Sequence, residues 1–149
     1  MDYIMKHYSA IIGYGYMGPM HHDIIMKGVP EIEVYGAYDI RQECMDAAAA
    51  RGLKTYASLD ELLADPKTDL VTIATPNDIH KDLSIRCLRA GKNVVCEKPV
   101  TLCPEDLEAI MAVAKETGKL FTIHHNRRWD KDYQQIKKII ADNTLGKPY

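Results

Sequence analysis

Short apolar runs alternate with longer stretches of helical periodicity along the whole chain. The runs are nearly continuous in apolar residues, which is typical of strands that helices cover on both faces. They predict strands over residues 8–12, 32–38, 55–56, 70–74, 93–96 and 120–124. The stretches between and after them predict helices over residues 17–27, 41–51, 58–64, 80–90, 104–118 and 133–140. This alternation predicts the α/β class, with one doubly wound parallel sheet in a single domain of residues 1–149.

Composition and charge fit an ordinary globular domain. The chain has 149 residues, 46% of them apolar, with 19 Lys and Arg against 21 Asp and Glu and a formal net charge of −2. A disordered chain would be poorer in apolar residues. A protein that binds nucleic acid through phosphate contacts would carry a basic excess, so we expect no nucleic-acid partner.

Neither a membrane span nor an export signal is predicted. No run of about 18 apolar residues occurs, and the first six residues lack the apolar stretch of a signal peptide. We therefore expect a cytoplasmic protein without a membrane partner. The four cysteines form no C-x-x-C pair, and we expect reduced, mostly buried thiols.

The first predicted strand is followed directly by a G-x-G-x-x-G turn that opens a helix. Gly13 permits the tight turn, Gly15 lets a pyrophosphate approach the backbone, and Gly18 allows close packing of helix on strand. Tyr16 and Met17 complete the turn, and the helix N-terminus offers free N–H groups to phosphates. The turn predicts a dinucleotide site in a Rossmann-type sheet. The alternative is a strand–helix turn without a ligand.

An acidic residue follows the second predicted strand. Asp39 can accept hydrogen bonds from both ribose hydroxyls of an adenosine and would repel a 2′-phosphate. The sequence therefore favours NAD as the cofactor. Arg41 keeps NADP open, because a guanidinium can bind a 2′-phosphate.

Two further segments follow the fourth and fifth predicted strands. The first holds Thr75, Pro76, Asn77 and His80, and the second is Glu97-Lys98-Pro99. Ligands of open α/β sheets bind beyond the carboxyl ends of the strands, so both segments lie where a nicotinamide would arrive. A turn stabilised by Asn77 and a structural role for His80 are the alternatives.

These segments together resemble one protein family. The turn Gly13–Gly18, the acid Asp39, and the motifs around Asn77, Lys98 and Arg127 resemble the Gfo/Idh/MocA oxidoreductases over about residues 8–149. The resemblance implies an NAD(P)-dependent dehydrogenase that acts on a sugar, a cyclitol or a related polyol. It implies that Lys98 is the catalytic-site lysine and that Arg127 or Arg128 contacts the nicotinamide side of the cofactor.

The role of Lys98 also follows from the chemistry of hydride transfer, independently of the family resemblance. An alcohol that gives up a hydride must lose its hydroxyl proton, and an ammonium beside the oxygen stabilises the developing alkoxide. Partial burial would ease proton exchange. Pro99 restricts Lys98 to extended backbone, and the sequence leaves the isomer of their peptide bond undecided. The alternative is a solvated lysine at a strand end.

The histidines carry weaker signals. His21 and His22 predict packing or surface groups, since no third metal ligand follows at a suitable spacing, and no metal site is expected. His124 and His125 end the sixth predicted strand, where one of them could reach a substrate. Arg127 has a second interpretation as the partner of a nearby aspartate.

The family's complete chains carry a second α/β domain that holds the substrate, and we expect these 149 residues to correspond only to the first domain. The resemblance therefore implies a cofactor-binding domain that turns over little by itself, with a homo-oligomer expected only for a complete enzyme. A stand-alone NAD(P)-binding redox sensor is the alternative. Lys98 favours the enzyme, because a sensor has no need of it.

Overall fold

The computed structural model describes residues 6–147, which form one parallel sheet of six strands in the order β3-β2-β1-β4-β5-β6. The strands are β1 His7–Ile12, β2 Ile32–Tyr38, β3 Lys54–Thr55, β4 Leu70–Ile73, β5 Asn93–Cys96 and β6 Phe121–Ile123. The chain starts in the middle of the sheet, builds outward to β3, and returns to β4 to build the other half. The carboxyl ends of β1 and β4 flank this reversal, which is where open α/β sheets bind ligands.

Helices connect the strands. They are α1 Met17–Gly28, α2 Gln42–Ala50, α3 Leu59–Ala64, α4 His80–Arg89, α5 Pro104–Thr117 and α6 Lys131–Ala141. Short 3-10 turns precede α4 and α6. The predicted α/β class and Rossmann-type topology are confirmed.

Two apolar cores lie on opposite faces of the sheet. Along β1, Ala10 and Ile12 join the core that contains α4 and α5, whereas Ile11 joins the core that contains α2. Successive side chains of a strand point to opposite faces, so a strand covered on both faces is apolar at every position. This explains the nearly continuous apolar runs in the sequence.

The third strand is displaced by one residue from its predicted position of 55–56. Tyr56 leaves the strand and its ring lies on Gly36 of β2, where an added Cβ would stand 2.6 Å from the ring. The Tyr56 hydroxyl donates to Asp65 Oδ2 at 3.0 Å. Side-chain packing therefore ends this short edge strand earlier than its β propensity indicates.

Several local predictions are confirmed. The Ser58 side chain accepts a hydrogen bond from Glu61 N at 3.1 Å, so the capping motif opens α3. All four cysteines are free thiols, and Cys44, Cys87 and Cys96 are buried. Burial raises the pKa of Cys87 and of Cys96 to about 12.

Among residues 6–147, no helix is long and apolar enough to cross a membrane. Residues 1–5, which carry most of the expectation about an export signal, and residues 148–149 lie outside the described residues.

One carboxylate ties the edge of the sheet to the loop before β4, and it makes stability depend on pH. Hydrogen bonds from the Lys54 ammonium and the Lys67 N–H lower the pKa of Asp65 to about 2. Because the folded pKa lies below the ordinary value of about 4, the stabilisation is complete above pH 4 and is lost as pH falls toward 2.

We therefore expect Asp65→Asn to lower the free energy of unfolding at pH 7 and to flatten its fall between about pH 4 and pH 2. Urea denaturation at a series of pH values measures both effects. Asp60→Asn is the matched control, since Asp60 pairs with Arg86 on the exposed surface. An unchanged pH profile for Asp65→Asn would show that Asp65 has no such role.

Candidate functional site

The glycine turn is built as the sequence predicts. Gly13 has a φ of +90°, and an added Cβ would stand 2.6 Å from the carbonyl oxygen of Ala74 at the end of β4. A Cβ on Gly18 would collide with the carbonyl oxygen of Gly13, so α1 packs directly on the turn. Both glycines are thus required by the backbone itself.

The turn and the start of α1 fit a phosphate. Within residues 6–147, no side chain caps the N terminus of α1, and its first turn holds no acidic residue. The unpaired N–H groups and the positive end of the helix dipole therefore suit an anion. Gly15 leaves the approach open except for the half-exposed Arg41 guanidinium, whose Nη2 stands 2.5 Å from where a Cβ would be.

Asp39 braces this turn. Its Oδ2 accepts a hydrogen bond from Tyr14 N at 2.8 Å, and its Oδ1 accepts from Arg41 N at 2.9 Å and from Arg41 Nε at 3.2 Å. Burial alone would raise the pKa of Asp39, but the hydrogen bonds from Arg41 and Tyr14 outweigh it and hold the pKa below its ordinary value. Asp39 is therefore an ionised acceptor whose charge Arg41 balances.

A crevice of about 670 Å³ lies beyond the carboxyl ends of β1, β2 and β4. Eight of the predicted cofactor residues line it: Gly13, Gly15, Tyr16, Met17, Asp39, Arg41, Thr75 and Pro76. The glycine turn, the acid and the loop after β4 thus share one cavity, as their positions after three strands predict.

The crevice also has walls that the sequence analysis missed. They are Ile12, Tyr38, Ile40, Leu59, Ala74, Ile79, Leu83 and Arg86. An apolar wall suits the flat face of a nucleobase. Ile40 carried a usable signal, because an apolar side chain directly follows Asp39 at a strand end. In the structure it is 89% exposed beside the crevice. Leu83 and Arg86 carried none, since a helix position shows only its periodicity.

His80 joins the loops that follow β4 and β5. Its ring nitrogens lie 2.9 Å from the carbonyl oxygen of Thr75 and 3.0 Å from that of Pro99, and the residue is 1% exposed. His80 is outside the crevice lining. Its contacts are those of a residue that positions the two loops, the structural alternative that the sequence left open.

Lys98 stands next to this bridge. It lies two residues after the end of β5, is exposed, and is joined to Pro99 by a cis peptide bond. Its N–H donates to Glu97 Oε2 at 3.0 Å. Residues 6–147 therefore do not provide the partial burial that the sequence analysis considered for the Lys98 side chain.

A buried cluster lies behind Lys98. Glu97 Oε1 is 2.8 Å from His21 Nε2 and 2.9 Å from His124 Nδ1. Burial lowers the pKa of His21, whereas the hydrogen bonds that Glu97 accepts outweigh its own burial and lower the pKa of Glu97. A neutral imidazole from α1 is thus held against an ionised carboxylate from β5.

This cluster corrects the sequence analysis of the histidines. Spacing along the chain indicated no third ligand for His21 and His22, whereas the fold brings Glu97, after β5, and His124, after β6, beside His21. Glu97, which the sequence places where a nicotinamide would arrive, is buried, and both its oxygens accept hydrogen bonds within the protein. Sequence spacing reports ligand pairs within one element and misses those that three elements assemble.

The last predicted residues lie apart from the crevice lining. Asn77 begins the 3-10 turn before α4 and is half-buried. Arg127 is exposed in the 3-10 turn after β6 and pairs with Asp130 at 2.8 Å, which matches its second interpretation.

The comparisons with known proteins agree with this geometry. Residues 8–125 match the profile of the Gfo/Idh/MocA family, described as an oxidoreductase family with an NAD-binding Rossmann fold. The scyllo-inositol 2-dehydrogenase (NADP(+)) IolW of Bacillus subtilis is 33% identical in an alignment 141 residues long, which covers 91% of this chain and 38% of that protein.

Solved structures are similar as well. An NAD-binding protein from Listeria innocua superposes with a TM-score of 0.92 at 51% identity, over 95% of this chain and 42% of that one. A myo-inositol 2-dehydrogenase from Lactobacillus plantarum gives a TM-score of 0.86 at 26% identity, over 95% and 42%. The chain thus spans about two fifths of the length of these relatives.

Proposed function

Because the chain belongs to the Gfo/Idh/MocA oxidoreductases, a family with an NAD-binding Rossmann fold, we propose that it is the cofactor-binding part of an NAD(P)-dependent dehydrogenase. The substrate class that we propose is a sugar or a cyclitol-type alcohol. IolW and the Lactobacillus enzyme, whose names state inositol substrates, support this class. Turnover would need the parts that correspond to the other three fifths of these relatives.

The observation that carries the proposal is the shared cavity. The glycine turn, the ionised Asp39 and the loop after β4 line one crevice at the reversal point of the sheet. His80 ties that loop to the segment that contains Lys98. A nucleotide site and a lysine on one edge of a parallel sheet suit hydride transfer between an alcohol and a nicotinamide.

The residues divide the dinucleotide between them. The N–H groups of the turn and of α1 would hold the pyrophosphate, while Asp39 and Arg41 would hold the adenosine ribose. Ile79 and Leu83 would cover the base, and Thr75, Pro76 and Asn77 would direct the nicotinamide half toward β5.

When bound, the nicotinamide supplies the hydride acceptor or donor. Lys98 would stand beside the alcohol oxygen. As the neutral amine it would accept the hydroxyl proton when the hydride leaves, and as the ammonium it would stabilise negative charge on the oxygen and return the proton in the reverse direction. Its N–H bond to Glu97 and the His80 contact to Pro99 fix the backbone on both sides of this side chain.

Calorimetric titration of the chain with NAD⁺ and with NADP⁺ tests the site. We expect saturable binding of one equivalent of at least one of the two, with affinity in the micromolar to millimolar range because one domain encloses only part of the cofactor. The absence of saturation with both would refute the proposal.

Arg41 should decide whether a 2′-phosphate is tolerated. We expect Arg41→Ala to weaken NADP⁺ binding by about tenfold or more, because a charge-assisted hydrogen bond worth about 1.5–3 kcal/mol is lost. The uncovered Asp39 carboxylate would add repulsion. NAD⁺ affinity should change by less than about threefold.

The same titrations of Arg41→Ala measure both constants. Arg51→Ala is the matched control, since Arg51 pairs with Asp23 of α1 outside the crevice lining. Equal losses of affinity for NAD⁺ and NADP⁺ would show that Arg41 does not contact the 2′-phosphate.

A further inference from the structure

We propose that His21, Glu97 and His124 form a binding site for one divalent transition-metal ion of the zinc class, with one coordination position left for water. The proposal does not depend on dinucleotide binding, because none of the three residues lines the crevice.

The donor set is the first observation. Two imidazole nitrogens and one carboxylate oxygen, His21 Nε2, His124 Nδ1 and Glu97 Oε1, all lie within 4.8 Å of one another. Two histidines with one glutamate are a recurrent ligand set of zinc sites that keep an open position. Imidazole donors favour zinc, copper, nickel or iron over magnesium and calcium, which prefer oxygen ligands.

The spacing of the donors is the second observation. Glu97 Oε1 stands 2.8 Å from His21 Nε2 and 2.9 Å from His124 Nδ1. Ligand bonds of about 2.0–2.1 Å in a tetrahedron place donor atoms about 3.3 Å apart. Each pair must therefore open by roughly half an ångström, which small side-chain rotations supply.

Burial distinguishes this cluster from an ordinary surface group of polar residues. His21 and Glu97 are each 5% exposed, whereas the His124 side chain is 28% exposed. Two ligands are thus shielded from water and the third provides access from solvent. A carboxylate loses its hydration when it is buried, and a cation bound between it and the two imidazoles would compensate for that loss.

The ligands are also held from behind. Glu97 Oε2 accepts the Lys98 N–H, Glu97 N donates to Ile73 O at 2.9 Å, and His124 N donates to Cys96 O at 2.8 Å. The rings of His21 and His124 meet edge to face with centroids 4.6 Å apart. Such supporting contacts orient metal ligands before the ion arrives.

The competing explanation is a metal-free hydrogen-bonded triad in which both imidazoles donate to Glu97. The two explanations differ in what the ring nitrogens do. In the triad, His21 Nε2 and His124 Nδ1 carry hydrogens, whereas a metal requires their lone pairs and moves any ring hydrogen to the opposite nitrogen.

The test uses the tag-free, chelator-treated chain. Calorimetric titration with Zn²⁺ should give one equivalent with a Kd below about 1 µM. Co²⁺ should give the intense visible absorption of a four-coordinate complex rather than the pale spectrum of the hydrated ion. Zn²⁺ should also raise the melting temperature, since it binds the folded chain.

His21→Phe and His124→Phe keep a flat ring and remove the ligand atom. Each should weaken Zn²⁺ binding by at least about tenfold and abolish the Co²⁺ absorption. His125→Ala is the matched control, because this exposed neighbour lies outside the cluster, and it should bind as the parent does.

Nitrogen NMR of the unaltered chain keeps the test decisive if a variant fails to fold. Zn²⁺ should shift the ring nitrogens of His21 and His124 before those of the other four histidines. No saturable binding, binding of full strength in both phenylalanine variants, or first shifts at other histidines would each overturn the proposal in favour of the metal-free triad.

Discussion

Gly15→Ala should remove most NAD(H) affinity from this chain and leave its fold intact. The added methyl group would occupy the path by which a pyrophosphate reaches the backbone N–H groups of the turn. We expect a loss on the order of 2–3 kcal/mol, which is roughly 30- to 150-fold in Kd.

The fold should survive because of what the new Cβ meets. At Gly15 the neighbour is Nη2 of Arg41, the far end of a flexible side chain that is 53% exposed. At Gly13 and Gly18 the neighbour is backbone, which cannot move without displacing β4 or α1. Of these three glycines, Gly15 is therefore the one at which a substitution should affect cofactor binding without affecting the fold.

NADH titration measures the first effect, through energy transfer to bound NADH from Trp129 and the tyrosines. Thermal unfolding followed by circular dichroism measures the second. Gly28→Ala is the matched control, since a Cβ there meets no atom within 4 Å and the residue ends α1 away from the crevice. If the Gly15→Ala chain binds NADH as tightly as the parent, the pyrophosphate does not bind at this turn.

The second large effect is expected for Lys98→Met in the complete reading frame that contains residues 1–149. Turnover of a sugar or cyclitol should fall by about 10²- to 10⁴-fold, because the proton-exchanging amino group is lost. Cofactor affinity should stay nearly constant, since Lys98 is outside the crevice lining. Methionine preserves the length of the side chain and removes its charge.

Steady-state rates with a panel of polyols and calorimetry with the cofactor separate the two quantities. Lys115→Met is the matched control, an exposed lysine in the last turn of α5. A fall in affinity with unchanged turnover would make Lys98 a binding residue only. Cofactor binding without turnover in the unaltered protein would favour the redox-sensor alternative.

The fold was predictable because its signals are local. Apolar runs, the capping motif at Ser58 and the glycine ends of helices each act within a few residues, and the parallel sheet follows from their alternation. The displaced edge strand β3 shows the limit of prediction from local signals. Tyr56 leaves β3 because its ring fits over Gly36. These two residues belong to different elements, so no periodic pattern in the sequence indicates their contact.

The site divides in the same way. The glycine turn and Asp39 were predictable, since each follows a strand and the carboxyl ends of parallel strands share one edge. The apolar walls from α3 and α4 were not, because a helix pattern shows that a face is apolar and not what it faces.

By itself, the sequence determined the α/β class, the glycine turn after β1 and the acid that follows β2, because these features depend on backbone conformation and on short-range order. Only the tertiary structure decided that Arg41 covers Asp39, that His80 joins two loops, and that Glu97 lies between two histidines. His21 and Glu97 are 76 residues apart and Glu97 and His124 are 27 apart. Hydrogen bonds act over about 3 Å of space, and the chain path that brings such residues together is set by the packing of whole strands and helices.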